Sequence, residues 1–288
     1  MTGIAQDDNS HSMTNLAVSN IAWDSAEDDA VADVLRRAGA TGVEIAPTKW
    51  RERPLEATAA EVAAYRSAWE DRGLRIVSLQ SLLFGLPELQ LFGDTSTRMA
   101  MLDVMREMID LAAGLGAHAL VFGSPKNRLR GALPLEQANA IAVDFFRELG
   151  THAHAQRTVL CIEANPAGYG CDFITTTEEA AELCRIADHP GVRVNGDLGG
   201  VTMSNEDPVA ALQSAGSCLA HFHASEPHLD PFGASSDHTR AAEGLALAHY
   251  DGWVSIEMRA AGGGENVAAV ERAVRLARRA YGGVAPEG

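Results

Sequence analysis

Four residues of the types that bind metal ions stand at or near the carboxyl ends of short apolar runs in the second half of the chain. The residues are Glu163, Asp197, His223 and Glu257, and the runs that carry them are Val159–Asn165, Val192–Leu198, Leu219–Ala224 and Val254–Met258. Successive members are separated by 34, 26 and 34 residues, about the length of one strand–loop–helix–loop unit in a parallel barrel. Four consecutive parallel strands would bring these side chains to one rim, so the spacing predicts a divalent-cation site that is also an active site.

The direction of these side chains supports the same interpretation. Residues two apart share a face of a strand, and a carboxylate that faced the covering helices would be buried without a partner. Glu163, Asp197 and Glu257 are therefore expected to point into the barrel and to be paired through a cation. An oxygen-rich site with one imidazole suits Mn²⁺, Mg²⁺ or Co²⁺, and Zn²⁺ is a further candidate.

Other polar residues near strand ends each have two interpretations. His221 shares a face with His223, and it is expected to be a hydrogen-bonded core residue rather than a ligand. Glu44, in the second strand, is either a structural carboxylate or a substrate contact. Lys126 and Arg128, in the loop after the fourth strand, are either a solvated pair or a clamp for an anionic substrate.

Aromatic residues follow the first three strands, and they also have two interpretations. They are Trp23, Trp50, Phe84 and Phe92. Core packing and a wall on which a sugar stacks explain them about equally well.

Eight strand-plus-helix units can be counted along the chain. The predicted strands are Leu16–Ile21, Gly42–Ala46, Leu74–Leu79, Ala117–Phe122 and the four runs above; the predicted helices are Glu27–Ala38, Ala59–Arg72, Thr97–Leu115, Leu135–His154, Thr177–Ala187, Pro208–Ala215, Arg240–His249 and Glu265–Tyr281. Strict alternation favours a parallel sheet and the count of eight favours closure, so the predicted fold class is α/β, a single (β/α)8 TIM barrel with parallel strands. A doubly wound open sheet is the rival, but it typically has a glycine-rich phosphate turn after the first strand, where this chain has SNIAWD. Residues 1–15 are expected to be disordered, and residues 16–288 to form the barrel domain.

Bulk composition narrows the class of protein. The chain has 288 residues, of which 46% are hydrophobic and 22% charged, with a formal net charge of −16. This acidic balance argues against a surface that binds nucleic acid, and no run approaches the roughly 20 apolar residues of a membrane span. The four cysteines show no paired spacing, which is typical of free thiols in a cytoplasmic protein.

Seven segments resemble the xylose-isomerase-like barrel superfamily of sugar and sugar-phosphate isomerases and epimerases. They are GVEIAPTKW, GLRIVSLQSLLFG, LVFGSPKNR, VLCIEANP, VRVNGDLGG, HFHASEP and VSIEMR, and together they span almost all of the chain beyond residue 15. The best match is to the ketose 3-epimerase branch, whose metal ligands are Glu, Asp, His and Glu with nearly these spacings. The resemblance implies metal ligation by Glu163, Asp197, His223 and Glu257. It also implies that Glu163 and Glu257 act as the acid/base pair.

Outside the metal ligands the match to that branch is partial. Glu226 matches a further glutamate of the pattern, but Tyr169, Gly200 and Leu229 stand where the ketose epimerases carry Glu, His and Arg. The substrate-contacting shell is therefore expected to differ from theirs. Its candidate members in this chain are Glu44, Lys126, Glu226 and Arg259.

Together these features predict a metal-dependent sugar or sugar-phosphate isomerase or epimerase. A divalent cation that holds a carbonyl and the adjacent hydroxyl would acidify the neighbouring C–H. One glutamate would remove that proton to give a metal-stabilised enediolate, and the other would return a proton from the opposite face. The expected partner is a small carbohydrate-like substrate, and a homodimer or homotetramer is the expected assembly.

Three alternatives use the same fold. A dehydratase or lyase acting on a keto-polyol such as an inosose would share the metal-enolate chemistry and expel a hydroxyl instead. An abasic-site endonuclease would need further zinc ligands and a basic DNA face, and the charge of −16 argues against it. A non-catalytic barrel would be expected to lose ligands, yet all four are present.

Overall fold

The centre of the molecule is a closed barrel of eight parallel strands, seen in a computed structural model that describes residues 15–282. Each strand pairs with the next in sequence, and the last pairs with the first. The strands are β1 (Asn15–Ser19), β2 (Gly42–Ile45), β3 (Arg75–Leu79), β4 (Ala119–Phe122), β5 (Val159–Glu163), β6 (Val192–Asp197), β7 (Leu219–Ser225) and β8 (Trp253–Glu257). The predicted (β/α)8 TIM barrel is confirmed, and the open-sheet alternative is wrong.

One main helix follows each strand and covers the outside of the barrel. The helices are α1 (Asp28–Ala38), α2 (Ala59–Asp71), α3 (Thr95–Leu115), α4 (Leu135–Ala155), α5 (Thr177–Ala187), α6 (Pro208–Ala215), α7 (His238–Leu247) and α8 (Asn266–Tyr281). Each corresponds to a predicted helix, with its bounds moved by two residues at most. A short helix at Leu198–Met203 departs from the prediction, because its two glycines indicate a loop. The side chain of Asp197 caps this helix by accepting a hydrogen bond from the Gly200 amide, which offsets the low helix propensity of glycine.

Local sequence signals explain where several helices begin and end. Thr176 and Glu179 form a capping box at the start of α5, in which each side chain accepts a hydrogen bond from the other residue's amide. Gly39 ends α1 and Gly116 ends α3 in the left-handed conformation, with φ of 85° and 79°, which glycine adopts without steric penalty. These signals are the reason why the helix bounds could be predicted closely.

The sheet register shifts at two places that matter for the site. One shift lies between Val43 and Glu44 in the pairing of β2 with β3, and the other between Val194 and Asn195 in the pairing of β6 with β7. Such irregularities change the direction of the side chains beside them. Glu44 and Asn195 each contact one of the four predicted metal ligands, as described below.

Most of the aromatic residues after the first three strands pack against other aromatic rings. Trp23 is fully buried and makes an edge contact with Trp69, with centroids 6.4 Å apart. Trp50 stacks on Tyr65 at 4.6 Å. Phe92 packs edge-on against Phe173 at 4.8 Å, and Phe84 is 71% exposed. For three of the four, core packing is therefore the better interpretation.

Two expectations concern the ends of the chain and the membrane. The segment predicted to be disordered, residues 1–15, lies outside the described residues except for Asn15, which begins β1. Residues 283–288 of the predicted barrel domain also lie outside them. Between residues 15 and 282, no helix is long and apolar enough to cross a membrane.

Candidate metal centre and active site

A cavity of about 450 Å³ opens at the carboxyl ends of the strands. All four members of the predicted quartet line it, together with residues from the loops that follow β3, β4, β5 and β7. Trp23, Trp50, Phe84 and Phe92 are not among its lining residues. The cavity therefore lies where a TIM barrel carries its active site, and these four aromatic residues do not form a stacking wall in it.

The imidazole of His223 lies at the centre of the quartet. Its Nδ1 is 3.3 Å from Glu163 Oε2, 3.3 Å from Glu257 Oε2 and 3.9 Å from Asp197 Oδ2. His223 is 1% exposed, and this nitrogen is buried without a hydrogen-bond partner among the described residues. Buried polar atoms without a partner are rare, and this one faces three carboxylates.

Glu44 lies beneath His223 and orients it. Its Oε2 is 2.9 Å from Nε2 of His221 and 3.0 Å from Nε2 of His223. Ser78 and Gln80 donate further hydrogen bonds to the same carboxylate, at 2.7 and 3.3 Å. Burial opposes the charge of Glu44, but the charge of His223 and the hydrogen bonds from both histidines hold its pKa well below the usual range. A carboxylate at Nε2 leaves Nδ1 of His223 as the nitrogen that faces the quartet, as in many metal sites.

Two overlapping groups of side chains have the composition of a metal site. Glu44, His221 and His223 form one, and Glu163, Asp197 and His223 form the other, with ligand atoms within 4.8 Å of one another. The first group is fully buried, and Glu44 already accepts four hydrogen bonds. The second group opens to the cavity. The second is therefore the candidate metal site, and His221 is a hydrogen-bonded core residue, as the sequence predicted.

Amide and hydroxyl groups hold the carboxylates of the quartet in place. Asn165 and Asn195 donate from Nδ2 to the two oxygens of Glu163, at 3.1 and 2.8 Å. The hydroxyl of Ser225 donates to Asp197 Oδ2 at 2.5 Å. These three residues were not predicted from the sequence, although each stands two positions from a member of the quartet. The alternation of side chains along a strand could have found them.

The crowded negative charge of the site raises carboxyl pKa values. Burial and the charges of Glu163 and Glu257 raise the pKa of Asp197 to about 7. Burial and the charge of Glu163 also raise the pKa of Glu257, although His223 opposes the change. Burial disfavours the charge of His223, but Glu44 and Glu257 prevail and raise its pKa well above the usual value. Like charges this close favour any cation placed among them.

These observations test whether the residues fit a divalent cation, and they do. The donor set is one imidazole nitrogen and three carboxylates, and no other group in the described part of the chain is hydrogen-bonded to that nitrogen. A proton on Nδ1 of His223 and a metal ion would compete for the same position, because ligands bind metal in the deprotonated form. Oxygen-rich coordination with one imidazole suits manganese, magnesium or cobalt better than a structural zinc.

Glu226 organises the loop between β7 and α7. Its two carboxylate oxygens accept hydrogen bonds from the amides of Gly233, Ala234, Ser235 and Ser236, at 2.7 to 3.0 Å. Nε2 of His238 lies 2.9 Å from the same carboxylate. Burial opposes the charge of Glu226, but the hydrogen bonds from His238 and from the amides lower its pKa to about 2. Glu226 lines the cavity, yet both oxygens are already occupied, and a substrate contact through them stays a prediction.

The three basic residues named from the sequence lie outside the cavity lining. Lys126 is exposed at the rim. Arg128 is fully buried and donates to the carbonyl oxygens of Glu163 and Ile174, at 2.7 and 3.3 Å. Both interpretations of Arg128, as a solvated residue or as an anion clamp, are therefore wrong, because it ties two loops together. Arg259 is exposed and forms an ion pair with Asp230.

One wall of the cavity comes from Tyr169 and Leu229, two of the departures from the ketose-epimerase pattern, together with His228. The hydroxyl of Tyr169 accepts a hydrogen bond from the His228 amide at 2.8 Å, and the two rings meet edge-on with centroids 5.8 Å apart. His228 and Leu229 both have left-handed backbones, with φ of 59° and 57°. All three residues line the cavity. Because its oxygen already accepts from the amide, the hydroxyl of Tyr169 can donate its own hydrogen into the cavity.

Comparison with known proteins agrees with the barrel fold. The sequence pattern of the family described as xylose isomerase-like TIM barrel matches residues 32–280. A crystal structure of D-psicose 3-epimerase, determined in the presence of D-fructose, has a TM-score of 0.77 and 19% identity, covering 94% of this chain and 100% of that one. D-psicose 3-epimerase from Clostridium cellulolyticum H10, with D-tagatose, has a TM-score of 0.78 and 16% identity, covering 93% and 99%. The 3-keto-D-glucoside 4-epimerase from E. coli has a TM-score of 0.75 and 17% identity, covering 92% and 99%. A search of curated proteins found no match to the sequence.

The chain belongs to the xylose isomerase-like TIM barrel family, because the match covers most of its length. Its structural neighbours include sugar epimerases, and at these identities the likeness to them establishes the shared fold.

Proposed function

We propose that this protein is a divalent-metal-dependent isomerase or epimerase that acts on an uncharged keto sugar. The observation that carries the proposal is the buried Nδ1 of His223, which has no hydrogen-bond partner between residues 15 and 282 and faces Glu163, Asp197 and Glu257. Likeness to several sugar epimerases of the same fold supports the reaction class.

The four residues of the quartet would hold the metal ion, with His223 contributing Nδ1. Manganese, magnesium or cobalt fits the oxygen-rich donor set, and zinc is a further candidate. When bound, such an ion polarises a substrate carbonyl and makes the neighbouring C–H more acidic. The remaining chemistry falls to side chains of the chain itself.

Glu163 and Glu257 would move the protons. They approach Nδ1 of His223 at the same distance, 3.3 Å, from β5 and β8, and three strands of separation set them on different sides of the barrel axis. Glu163 would remove the proton from the carbon beside the carbonyl, and Glu257 would return a proton to the opposite face. Burial raises the pKa of Glu257, and a raised pKa suits a carboxyl group that must accept and release a proton near neutral pH. Asn165 and Asn195 would keep Glu163 in position during the transfer.

The charges around the cavity support an uncharged substrate. Among the described residues, no lysine or arginine lines the cavity. A phosphate or carboxylate would meet Glu163, Asp197 and Glu257 without a side-chain cation to offset the repulsion. The sugar rather than the sugar-phosphate alternative is therefore favoured. Lys126 and Arg259 lie outside the lining, and we propose no contact between them and the substrate.

Tyr169 and His228 would recognise the part of the substrate that is distant from the reacting carbons. The phenol can donate one hydrogen bond to a substrate hydroxyl, and the two rings offer apolar faces to C–H groups of a sugar. Leu229 adds a further apolar contact on the same side. This wall differs from the polar one that the resemblance to ketose 3-epimerases implies, so we expect a different substrate preference.

The first experiment measures proton exchange between the metal-loaded protein, solvent D₂O and a panel of keto sugars. Suitable probes are D-fructose, D-psicose, D-tagatose, L-ribulose and a 3-keto-D-glucoside, the compounds named with the neighbouring structures. We expect deuterium at one carbon beside the carbonyl, and inversion there for an epimerase. Loss of water from the substrate instead would identify the dehydratase alternative.

Two variants connect this activity to the quartet. Glu163→Gln and Asp197→Asn should lose metal and exchange together while the protein stays folded, because both side chains lie at the rim and outside the packed layers. Glu88→Gln, which changes an exposed glutamate in a loop, is the matched control. Stoichiometric metal and full exchange in both quartet variants would contradict the assignment.

A further inference from the structure

Two of the four cysteines form a pair at the end of the barrel opposite the cavity. Cys218 immediately precedes β7, and Cys184 lies on α5 with its thiol 3.4 Å from the carbonyl oxygen of Val192, the first residue of β6. Both are free thiols. Because Leu219 of β7 pairs with Val194 of β6, Cys218 lies on the neighbouring strand beside the first residues of β6, where the Cys184 thiol contacts the Val192 carbonyl. The amino-terminal ends of the strands thus hold a thiol pair with no part in the proposed chemistry.

The pair has one accessible member and one protected member. Cys218 is partly exposed, whereas Cys184 is 4% exposed. A disulfide bond of about 2.05 Å forms between cysteines whose Cα atoms lie within about 7 Å of each other, and both of these cysteines lie beside the first residues of β6. An exposed thiol backed by a buried one is the arrangement of an attacking and a resolving cysteine.

Positive charge beside the pair favours the thiolate form of Cys218. The guanidinium of Arg193 donates to the Val192 carbonyl at 3.0 Å, the same oxygen that lies beside the Cys184 thiol. The Cys184 thiol beside it and the charges of Arg193 and Arg185 lower the pKa of Cys218 to about 6, although burial opposes the change. Partly exposed thiols in an electropositive environment are the reactive ones in proteins.

The other two cysteines are placed very differently. Cys161 is fully buried in the barrel, and burial raises its pKa to about 12. Cys171 is 4% exposed. Its thiol donates a hydrogen bond to the Phe173 carbonyl at 3.2 Å and accepts one from Nε of Arg128 at 3.4 Å. Both serve as internal controls for a reaction that depends on exposure and on the neighbouring thiol.

We propose that Cys218 and Cys184 are a redox modification site that a peroxide converts to an intramolecular disulfide. The Cys218 thiolate attacks one oxygen of hydrogen peroxide, so the S–O bond forms, the O–O bond breaks and hydroxide leaves. The sulfenic acid that results is attacked by the sulfur of Cys184, whose proton leaves with the displaced oxygen as water while the S–S bond forms. In sum, two thiols and one peroxide give one disulfide and two waters. The bridge joins α5 to the start of β7, the strand that carries His223.

The experiment uses the full chain, reduced, freed of reductant and treated with hydrogen peroxide. We expect the intact mass to fall by two hydrogen atoms per chain, with no gain of oxygen. Cleavage after glutamate separates the cysteines, because Glu182 and Glu206 bound the peptide of Cys184 while Glu206 and Glu226 bound that of Cys218. The two peptides should be joined before reduction and separate after it.

Single variants decide whether the pairing is specific. Cys184→Ser should leave Cys218 as a sulfenic acid that a cyclic diketone probe labels, and Cys218→Ser should abolish the mass loss. Cys161→Ala and Cys171→Ser should keep it. The proposal is overturned by oxygen addition at Cys218 without a bridge in the unaltered chain, by a disulfide between two chains, or by a Cys218 that stays reduced.

Discussion

Replacing Glu44 by glutamine tests whether a buried residue that cannot touch substrate sets the strength of the metal site. Oε2 of Glu44 lies 3.0 Å from Nε2 of His223, and in the neutral imidazole that binds metal this contact keeps the proton on Nε2 and the lone pair on Nδ1. A glutamine of the same shape removes the charge. If its amide nitrogen faces His223, it also donates to Nε2 and moves the proton to Nδ1, where it opposes metal binding.

The size of the effect follows from the position of the carboxylate. Removing a partner that orients a metal-bound histidine typically lowers metal affinity 10- to 100-fold, which is about 1.4 to 2.8 kcal/mol. Glu44 is fully buried and approaches both His221 and His223, so we expect a loss toward the upper end of this range. Glu44 lies in β2 and not in a flexible loop, so a change in backbone flexibility should add little to this loss of metal affinity.

Titration calorimetry with Mn²⁺ at constant pH measures the effect without any knowledge of the substrate. Glu88→Gln is the matched control, since it removes one exposed carboxylate and no contact of the site. Denaturant unfolding of the metal-free proteins separates loss of affinity from loss of folding. Unchanged Mn²⁺ affinity in a folded Glu44→Gln protein would refute the orienting role.

Four further results are expected. Glu257→Gln should still exchange a substrate proton with D₂O, because one base remains, but it should fail to invert the carbon. Inversion at the normal rate, measured by NMR, would show that a group other than Glu257 returns the proton to the opposite face. Tyr169→Phe should raise KM about 10-fold by removing one hydrogen bond of about 1.4 kcal/mol, with metal affinity unchanged; an unchanged KM would argue against a contact with substrate. Gly123→Ala should weaken Mn²⁺ binding, because a Cβ there would lie 2.7 Å from Glu163 Oε1 and displace that carboxylate. An Mn²⁺ affinity equal to that of the unaltered protein, measured by calorimetry, would show that the loop moves aside without disturbing Glu163. The pKa of Glu226 is lowered from 4.5 to about 2 in the folded protein, so its stabilising effect is present above pH 4.5 and is lost as pH falls from there toward 2. The Tm of Glu226→Gln should therefore lack this part of the acid-dependent loss. Parallel curves of Tm against pH for the two proteins would contradict this prediction.

The fold and the metal ligands could be predicted because the signals for both are local. Each unit begins with a short apolar run and continues with a helix whose ends are marked, as by the capping box at Thr176 or by Gly39 and Gly116. A parallel barrel then brings the carboxyl ends of its strands together. The position of Glu163 or Glu257 at a strand end was therefore enough to predict that they meet.

The contacts of Glu44 and Arg128 could not be predicted, because they join residues far apart in the chain. Glu44 and His221 are separated by 177 positions, and nothing near Glu44 in the sequence indicates a histidine partner. Arg128 stands in a polar loop and looks solvated, yet two of its acceptors are the backbone carbonyls of Glu163, at the end of β5, and of Ile174, in the loop that follows. A backbone carbonyl carries no sequence signal, so such a contact is visible only in the folded molecule.

Strained backbone in the loops of the cavity indicates that different parts of the fold determine the chemistry and the substrate preference. Four residues of the lining adopt the left-handed conformation without being glycine, and they are Ser81, Ser124, His228 and Leu229, with φ of 54°, 40°, 59° and 57°. Each costs about 1–2 kcal/mol, and such strain persists only where surrounding contacts determine the backbone. Those contacts are present: Leu229 donates its amide to the Glu226 carbonyl and accepts from the Arg259 amide, while the Glu226 carboxylate fixes the rest of the loop. Because the quartet sits on or directly after strands and the strained wall sits on loops, loop changes at Tyr169 or His228 should alter which sugar is accepted and leave metal binding intact.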